Sequence, residues 1–245
     1  CCTSQPCQCE NVNSCTVTTD YDFSWVDLID SGAGTRINNG EWTQNDDDGW
    51  FNVILPFDFH WFGQVERTIT IGTNGVLTFG AGQLPYGSSE PVPCAYGSNG
   101  CNNAVQVDGV IAPLWCDLNP AVSGADDGEG VFDQIVTEAD ERLVAWNKLI
   151  VEYQVPTFGT TTMIHIEVIL FGDGGVLFQY ADMPANSGSW SHESVGFEDH
   201  TGALGVQILY GSMPASNTAY MIPATCHLSD ADLDQPVLYE GCCTS

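Results

Sequence analysis

The sequence predicts an all-β protein, an antiparallel β-sandwich of jelly-roll-like type with disulfide-rich extensions at both ends. Short runs of β-branched and aromatic residues alternate with Gly, Asn and Asp turns along the interior of the 245-residue chain, a pattern typical of a sandwich or a barrel. Two pairs of runs form hairpins with an apolar face, and eight of the eleven cysteines lie near the chain ends. We therefore expect a β core at residues 16–223 between cysteine-rich segments at 1–15 and 224–245.

The cysteines indicate an oxidising, extracellular setting, because this density is unusual for a reduced cytosolic domain. Residues 1–15 have no apolar periodicity, so disulfides rather than a core must order them. Cys116 lies in an apolar run and is expected to be a buried free thiol, whereas two interior cysteines flank a turn-rich hexapeptide. The cysteines expected in disulfides or in assembly are Cys1, Cys2, Cys7, Cys9, Cys15, Cys94, Cys101, Cys226, Cys242 and Cys243.

Residues 50–62, WFNVILPFDFHWF, are dense in aromatic residues and contain Pro56. Proline cannot donate to a sheet ladder and is confined to edge strands, strand starts and bulges. The segment therefore predicts either two short strands or one bent edge strand.

Residues 68–80, TITIGTNGVLTFG, predict a hairpin through their Asn-Gly pair. A two-residue loop would mix aliphatic and polar side chains on both faces. A three-residue loop at 73–75 pairs Ile71 with Leu77 and gives a cleaner apolar face, because side chains alternate along a strand. We therefore predict a type I turn with Gly75 in the left-handed conformation, forming a bulge.

Residues 163–180 predict a second hairpin, with its loop at 173–175. Phe171 and Leu177 would form a smaller apolar patch on the reverse face. The residues expected to share the main apolar face are Ile164, Ile166, Val168, Leu170, Val176, Phe178 and Tyr180. Further strands are predicted within 105–116, 130–136, 143–153, 194–197 and 203–210. Residues 143–151 also fit a short helix, but their β-branched and aromatic content favours a strand.

The formal net charge is −28, with only three arginines and one lysine as permanent cations. This charge argues against binding to nucleic acid or to an anionic membrane. No run is apolar and long enough to span a bilayer, so membrane insertion is not expected. Calcium, a salty medium or a cationic partner would screen the carboxylates; the alternative is a merely soluble acidic surface.

Calcium is the candidate cofactor, because clustered oxygen ligands on loops are what it requires. Residues 45–49, NDDDG, form one cluster, and residues 117–129 form a second after a strand end. The aspartates at 230–234 do not begin an EF-hand, since Gln235 stands where the loop needs glycine. The candidate ligands are Asp46, Asp47, Asp48, Asp117, Asn119, Asp126 and Asp127; the alternative is a set of solvated acidic turns.

No motif predicts catalysis, so we expect no enzyme: the sequence contains no GxSxG, no P-loop, no HExxH and no paired CxxC. Tryptophans outside the central strands suggest a sugar-stacking platform, although most tryptophans in a sandwich serve packing. These tryptophans are Trp25, Trp42, Trp50, Trp61 and Trp190.

Several segments occur in an order that points to one family. They are ILPFDF at 54–59, IGTNGVLTFG at 71–80, VIAPLW at 110–115, VAWN at 144–147, VILF at 168–171, VLFQY at 176–180 and VGFED at 195–199. Together they resemble the nidogen-like extracellular domain and related β-rich modules of secreted bacterial proteases and adhesins. The resemblance covers about residues 50–210 and implies a secreted adhesion or matrix role without catalysis. Cys116 and the cysteine-rich ends depart from the family pattern.

The sequence thus predicts a non-enzymatic extracellular structural or adhesive protein. We expect it to assemble with itself into a fibre or a surface layer, with the cysteine-rich ends linking subunits, since a head-to-tail contact that does not close gives a filament. The alternative is that the ends pair within one chain. The protein would then be a monomeric extracellular module that recognises glycans or matrix proteins.

Overall fold

The computed structural model describes residues 16–80, 91–93, 107–122, 130–137, 147–185 and 193–226. Within these ranges the chain forms β-strands and short 3₁₀ turns at Pro120–Val122 and Ala224–Cys226, and no α-helix. The strands are β1 (Thr35–Arg36), β2 (Trp50–Trp61), β3 (Gln64–Gly72), β4 (Leu77–Phe79), β5 (Ile111–Trp115), β6 (Gly130–Val136), β7 (Lys148–Pro156), β8 (Met163–Phe171), β9 (Val176–Tyr180), β10 (Ser194–Glu198), β11 (Gly205–Tyr210) and β12 (Thr218–Ile222).

The described strands form two antiparallel sheets. Sheet I has the order β1-β6-β7-β8-β9-β12, and sheet II has the order β11-β10-β5-β4-β3-β2. The predicted all-β sandwich is confirmed. Consecutive strands are neighbours from β2 to β5 and from β6 to β9, whereas β10 lies beside β5, β12 beside β9 and β1 beside β6 through connections that pass by way of the other sheet.

The main core lies between the two sheets and contains the apolar face predicted for the second hairpin. Two buried tyrosines form hydrogen bonds between the two sheets. The Tyr153 hydroxyl donates to the Gly72 carbonyl oxygen at 3.0 Å, and the Tyr180 hydroxyl donates to the Pro113 carbonyl oxygen at 2.6 Å. Each bond joins a strand of sheet I to a strand of sheet II, and each satisfies a hydroxyl that would otherwise be buried unpaired.

The first hairpin has the predicted register, with Ile71 opposite Leu77 and Ile69 opposite Phe79. Gly75 has a φ of +68°, and a Cβ there would lie 2.1 Å from the Leu114 carbonyl oxygen. Both observations require glycine at this position. The reverse face of the hairpin is also covered, by a small buried cluster on the outer side of sheet II.

The second hairpin has the predicted apolar face, but its predicted loop was wrong by one residue. The Phe171 amide donates to the Gly175 carbonyl oxygen at 2.9 Å, so the loop is 172–174 rather than 173–175. Gly174 takes the left-handed position with a φ of +93°, and Asp173 Oδ1 accepts the Gly175 amide at 2.8 Å. The shift moves the register by two residues, which leaves each side chain on its predicted face.

Residues 50–61 form one bent edge strand, the second of the two alternatives. Ile54 lies opposite Thr68, whereas Phe59 lies opposite Glu66. Four residues of β2 therefore face a single residue of β3. This irregularity contains Pro56, as expected for a proline in an edge strand.

The other predicted strands are present as β5, β6, β7, β10 and β11, although residues 143–146 lie outside the described part. Strands β1 and β12 were not predicted. A further unpredicted element is residues 18–30, here called the N-terminal strap, which lies across the outer face of sheet I. Leu28 of the strap is fully buried in a second apolar cluster with Ile150, Ile169 and Leu177.

Candidate functional site

The acidic loop at residues 45–49 is held against the turn of the first hairpin. Asn45 Oδ1 accepts the backbone amides of Asp47 and Asp48 at 2.8 and 2.6 Å, an Asx turn that shapes the loop. Gly49 then joins the hairpin: its amide donates to Thr73 Oγ1 and its carbonyl accepts the Thr73 amide, both at 3.0 Å. The backbone of Gly49 therefore fixes the loop to the sandwich through the amide and the hydroxyl of Thr73.

Asn74 connects this loop to the end of β5. Its side chain is 2% exposed. Its Nδ2 donates to Asp48 Oδ1 at 3.1 Å, and its Oδ1 accepts the Leu118 amide at 2.8 Å. One buried amide side chain thus brings the first acidic cluster beside Asp117, which follows β5 in the chain. We call the group Asp47, Asp48, Asn74 and Asp117 the acidic corner.

The carboxylates of the acidic corner act on one another. Burial raises the pKa of Asp47 to about 6, and the charge of Asp48 contributes to the rise. Burial likewise raises the pKa of Asp117 to about 6, with contributions from Asp48 and then Asp47. The carboxylates of two clusters that are far apart in sequence therefore repel one another, and a bound cation would offset this repulsion.

The chemistry of the donors suits calcium, since each available group is a carboxylate or amide oxygen. Asp47 Oδ1 is also buried without a hydrogen-bond partner. Within the described ranges, however, no group of three or more His, Cys, Asp or Glu side chains is already placed to hold a metal ion. Cation binding at the acidic corner would therefore require the loop carboxylates to converge further.

Other predicted ligands are engaged elsewhere or lie outside the description. Asp46 Oδ1 accepts the Gly40 amide at 2.6 Å, and Asn119 Oδ1 accepts the Ala121 amide at 2.9 Å. Asp126 and Asp127 lie outside the described residues. Asn74 was missed as a site residue because its Asn-Gly motif explains the turn, and nothing local indicates partners at Asp48 and Leu118.

Of the cysteines, Cys116 is a buried free thiol, as expected. Cys226 is disulfide-bonded and 3% exposed. The remaining assigned cysteines lie outside the described residues; they are Cys1, Cys2, Cys7, Cys9, Cys15, Cys94, Cys101, Cys242 and Cys243.

The tryptophans do not gather into a sugar-stacking surface in the described part of the chain. Trp61 is fully buried, and its indole Nε1 donates to the Glu198 carbonyl oxygen at 3.0 Å. Trp42 is 5% exposed, and Trp50 packs against the outer cluster of sheet II. Trp25 lies instead on the strap, against the ring of His165.

These features define a β-sandwich module with an acidic loop site. The sequence model of the NIDO-related family matches residues 19–227, so the chain belongs to the NIDO-related family. Searches of curated proteins and of solved structures find no match. NIDO-related domains are typically extracellular. Among the described residues, no helix is long and apolar enough to cross a membrane.

Proposed function

We propose that the chain is a non-enzymatic extracellular structural and adhesive protein that links to copies of itself through its cysteine-rich ends, giving a fibre or a surface layer. Its repeated unit is the NIDO-related sandwich. Its linking groups are the cysteines before residue 16 and after residue 223.

The observation that carries the proposal is the bridge between the two ends of the described chain. The Thr18 amide donates to the Met221 carbonyl oxygen at 2.9 Å, and the Met221 amide donates back to Thr18 at 2.9 Å. Thr18 comes three residues after Cys15, and Met221 comes five before Cys226. Both cysteine-rich segments therefore join the described chain at one edge of sheet I. The sequence gives these two segments eight cysteines, enough to join one subunit to more than one neighbour.

The same closeness supports the second candidate, a monomeric extracellular module that recognises glycans or matrix proteins. Segments that leave from one edge can pair with each other inside one chain, and Cys226 is already disulfide-bonded. In this case the disulfides fasten the ends to the sandwich, and recognition uses the surface of the module.

Non-reducing and reducing gel electrophoresis, followed by mass mapping of the disulfide peptides, separates the two candidates. Self-linking predicts a ladder of bands that collapses to a single band on reduction. It also predicts disulfide-linked peptides that join residues 1–15 of one chain to residues 224–245 of another. Mixing isotope-labelled with unlabelled chains before oxidation distinguishes such bridges from bridges within one chain. Cys242→Ser with Cys243→Ser should shorten the ladder. The matched control Cys116→Ala, which alters a buried free thiol, should leave it unchanged. A single band with every bridge internal would exclude covalent self-linking.

We also propose calcium as the ligand of the acidic corner. Support comes from the mutual repulsion of Asp47, Asp48 and Asp117 and from the unpartnered Asp47 oxygen. Calorimetric titration should detect calcium binding, which Asp48→Asn and Asp117→Asn each weaken by at least tenfold. Asp46→Asn is the matched control, since Asp46 is engaged with the Gly40 amide. Equal calcium binding by all three variants would contradict the assignment.

A further inference from the structure

A row of three buried polar side chains crosses the outer face of sheet I. Glu152 lies directly opposite Glu167, and Glu167 lies directly opposite Gln179, on strands β7, β8 and β9. All three residues are fully buried. Phe132 and Ala219 flank the row on the neighbouring strands β6 and β12. Gln179 Nε2 donates to Glu167 Oε1 at 2.5 Å within the row, and the remaining buried polar atoms need further partners.

The N-terminal strap supplies those partners from alternate residues. The Ser24 amide donates to Gln179 Oε1 at 2.7 Å, and Gln179 Nε2 donates back to the Ser24 carbonyl at 2.8 Å. The Leu28 amide donates to Glu152 Oε2 at 2.7 Å. The Val26 amide, between them, hydrogen-bonds to the Glu167 carboxyl group.

This spacing means that one edge of the extended strap binds the row of side chains as it would bind a neighbouring strand. The strap itself is only partly covered, since Ser24 is exposed and Val26 is half-buried. Its attachment to sheet I therefore rests on the buried Leu28 side chain and on the hydrogen bonds to the row.

Two carboxyl groups lie side by side in this row. Glu152 Oε1 is bonded by His165 Nε2 at 2.6 Å, but Glu167 Oε2 is buried without a partner. Burial raises the pKa of Glu167 to about 8, and the charge of Glu152 adds to the rise, while the Gln179 and Val26 hydrogen bonds and Lys148 oppose it. Glu167 is therefore protonated at neutral pH, which leaves the row one negative charge fewer.

The charged groups around Glu167 come from several elements. Lys148 and Glu152 belong to β7 and His165 to β8, while β6 and β12 present only uncharged neighbours to the row. On the strap, the Asp27 carboxylate accepts the Asp30 amide at 2.7 Å and so caps the strap's own turn. Glu152 is the carboxyl group that lies directly opposite Glu167 in the pairing of β7 with β8.

We propose that the strap is a pH-controlled latch: loss of the Glu167 proton releases residues 18–30 from sheet I. Once the strap has left, Glu167 faces water and regains an ordinary carboxyl pKa of about 4.3. The docked state therefore holds one more proton than the released state between the two pKa values. Docking is strongest at low pH, weakens by about tenfold per pH unit across this interval, and levels off above the docked pKa.

Chymotrypsin tests the latch, because the strap offers Tyr21, Phe23 and Trp25 as cleavage sites. Cleavage of the oxidised full chain is measured by mass spectrometry from pH 6 to pH 9.5. Each rate is divided by that of a free peptide of residues 18–30 at the same pH. The corrected rate should rise by about tenfold per unit up to about pH 8 and then level off. A corrected rate that does not change with pH would overturn the proposal.

Glu167→Gln keeps the shape of the side chain and removes its titration, so its corrected rate should stay low and flat with pH. The matched control Glu66→Gln makes the same change on sheet II, at a carboxylate bonded to His200 at 2.8 Å, and it should behave as the unaltered protein. A pH slope retained in Glu167→Gln would refute the role of this proton. Hydrogen exchange of the unaltered protein gives a test that needs no variant: the protection of the Val26 and Leu28 amides should fall as the pH rises to about 8 and then level off, while the amides of β8 keep theirs.

Discussion

Asn74→Ala is the substitution that most directly tests how the acidic corner is built. It removes the acceptor of the Leu118 amide, which is buried, and the donor to Asp48 Oδ1. A buried amide left without an acceptor costs about 1–3 kcal/mol, and the lost bond to a partly exposed carboxylate costs about 1 kcal/mol more. We therefore expect a loss of about 3 kcal/mol in the free energy of unfolding, or about 6–12 °C in Tm for a domain of this size.

Urea unfolding of the oxidised protein, followed by fluorescence, measures this loss. Asn38→Ala is the matched control, because the Asn38 side chain is exposed and bonds only locally, to Arg36 and Glu41; we expect a change within about 0.5 kcal/mol. If Asn74→Ala were as mild as its control, Asn74 would not join the acidic loop to the end of β5 in solution.

Two further predictions concern the same end of the sandwich. Gly75→Ala should lower the free energy of unfolding by about 2–5 kcal/mol, because the new Cβ both strains the left-handed backbone and clashes with the Leu114 carbonyl oxygen. The control Gly32→Ala has the same φ of +68° but nothing within 4 Å of the new Cβ, and it should cost only about 1–2 kcal/mol. Equal losses for the two variants in denaturant unfolding would show that the Leu114 carbonyl adds nothing. The pKa values of Asp47 and Asp117 are raised to about 6 each, so the folded state binds more protons than the unfolded state between about pH 4 and pH 6. The contribution of the two aspartates to the free energy of unfolding therefore falls as the pH rises through this window and stays low above it. Replacing both by Asn should flatten that part of the unfolding profile, and a profile parallel to that of the unaltered protein would show that neither pKa is raised.

The hairpins were predictable because their information is local. In the first, only one loop length places Ile71 and Leu77 on a common face, and the glycine at the left-handed position fixes the turn. In the second, the stripe from Ile164 to Tyr180 determines which face is buried, but two registers two residues apart give the same face. Turn chemistry at Asp173 then decides between them, and the apolar pattern alone does not contain that information.

The strap and the acidic corner were not predictable because their contacts span long stretches of sequence. Leu28 bonds to a residue 124 positions away, and Ser24 to one 155 positions away. Residues 20–25, DYDFSW, alternate polar and aromatic side chains as a strand does, but nothing local identifies the outer face of sheet I as their partner. Asp48 and Leu118 meet only through Asn74, at separations of 26 and 44 residues. The sequence did identify both acidic clusters as candidates, but their meeting depends on the order of strands in sheet II.

The self-linking of subunits is tested most directly by light scattering on the purified oxidised protein, before and after reduction under native conditions. We expect a molar mass that is a multiple of that of the 245-residue chain, which falls towards the single-chain value when the disulfides are reduced. A single-chain mass in both states would contradict covalent assembly and favour the monomeric binding module.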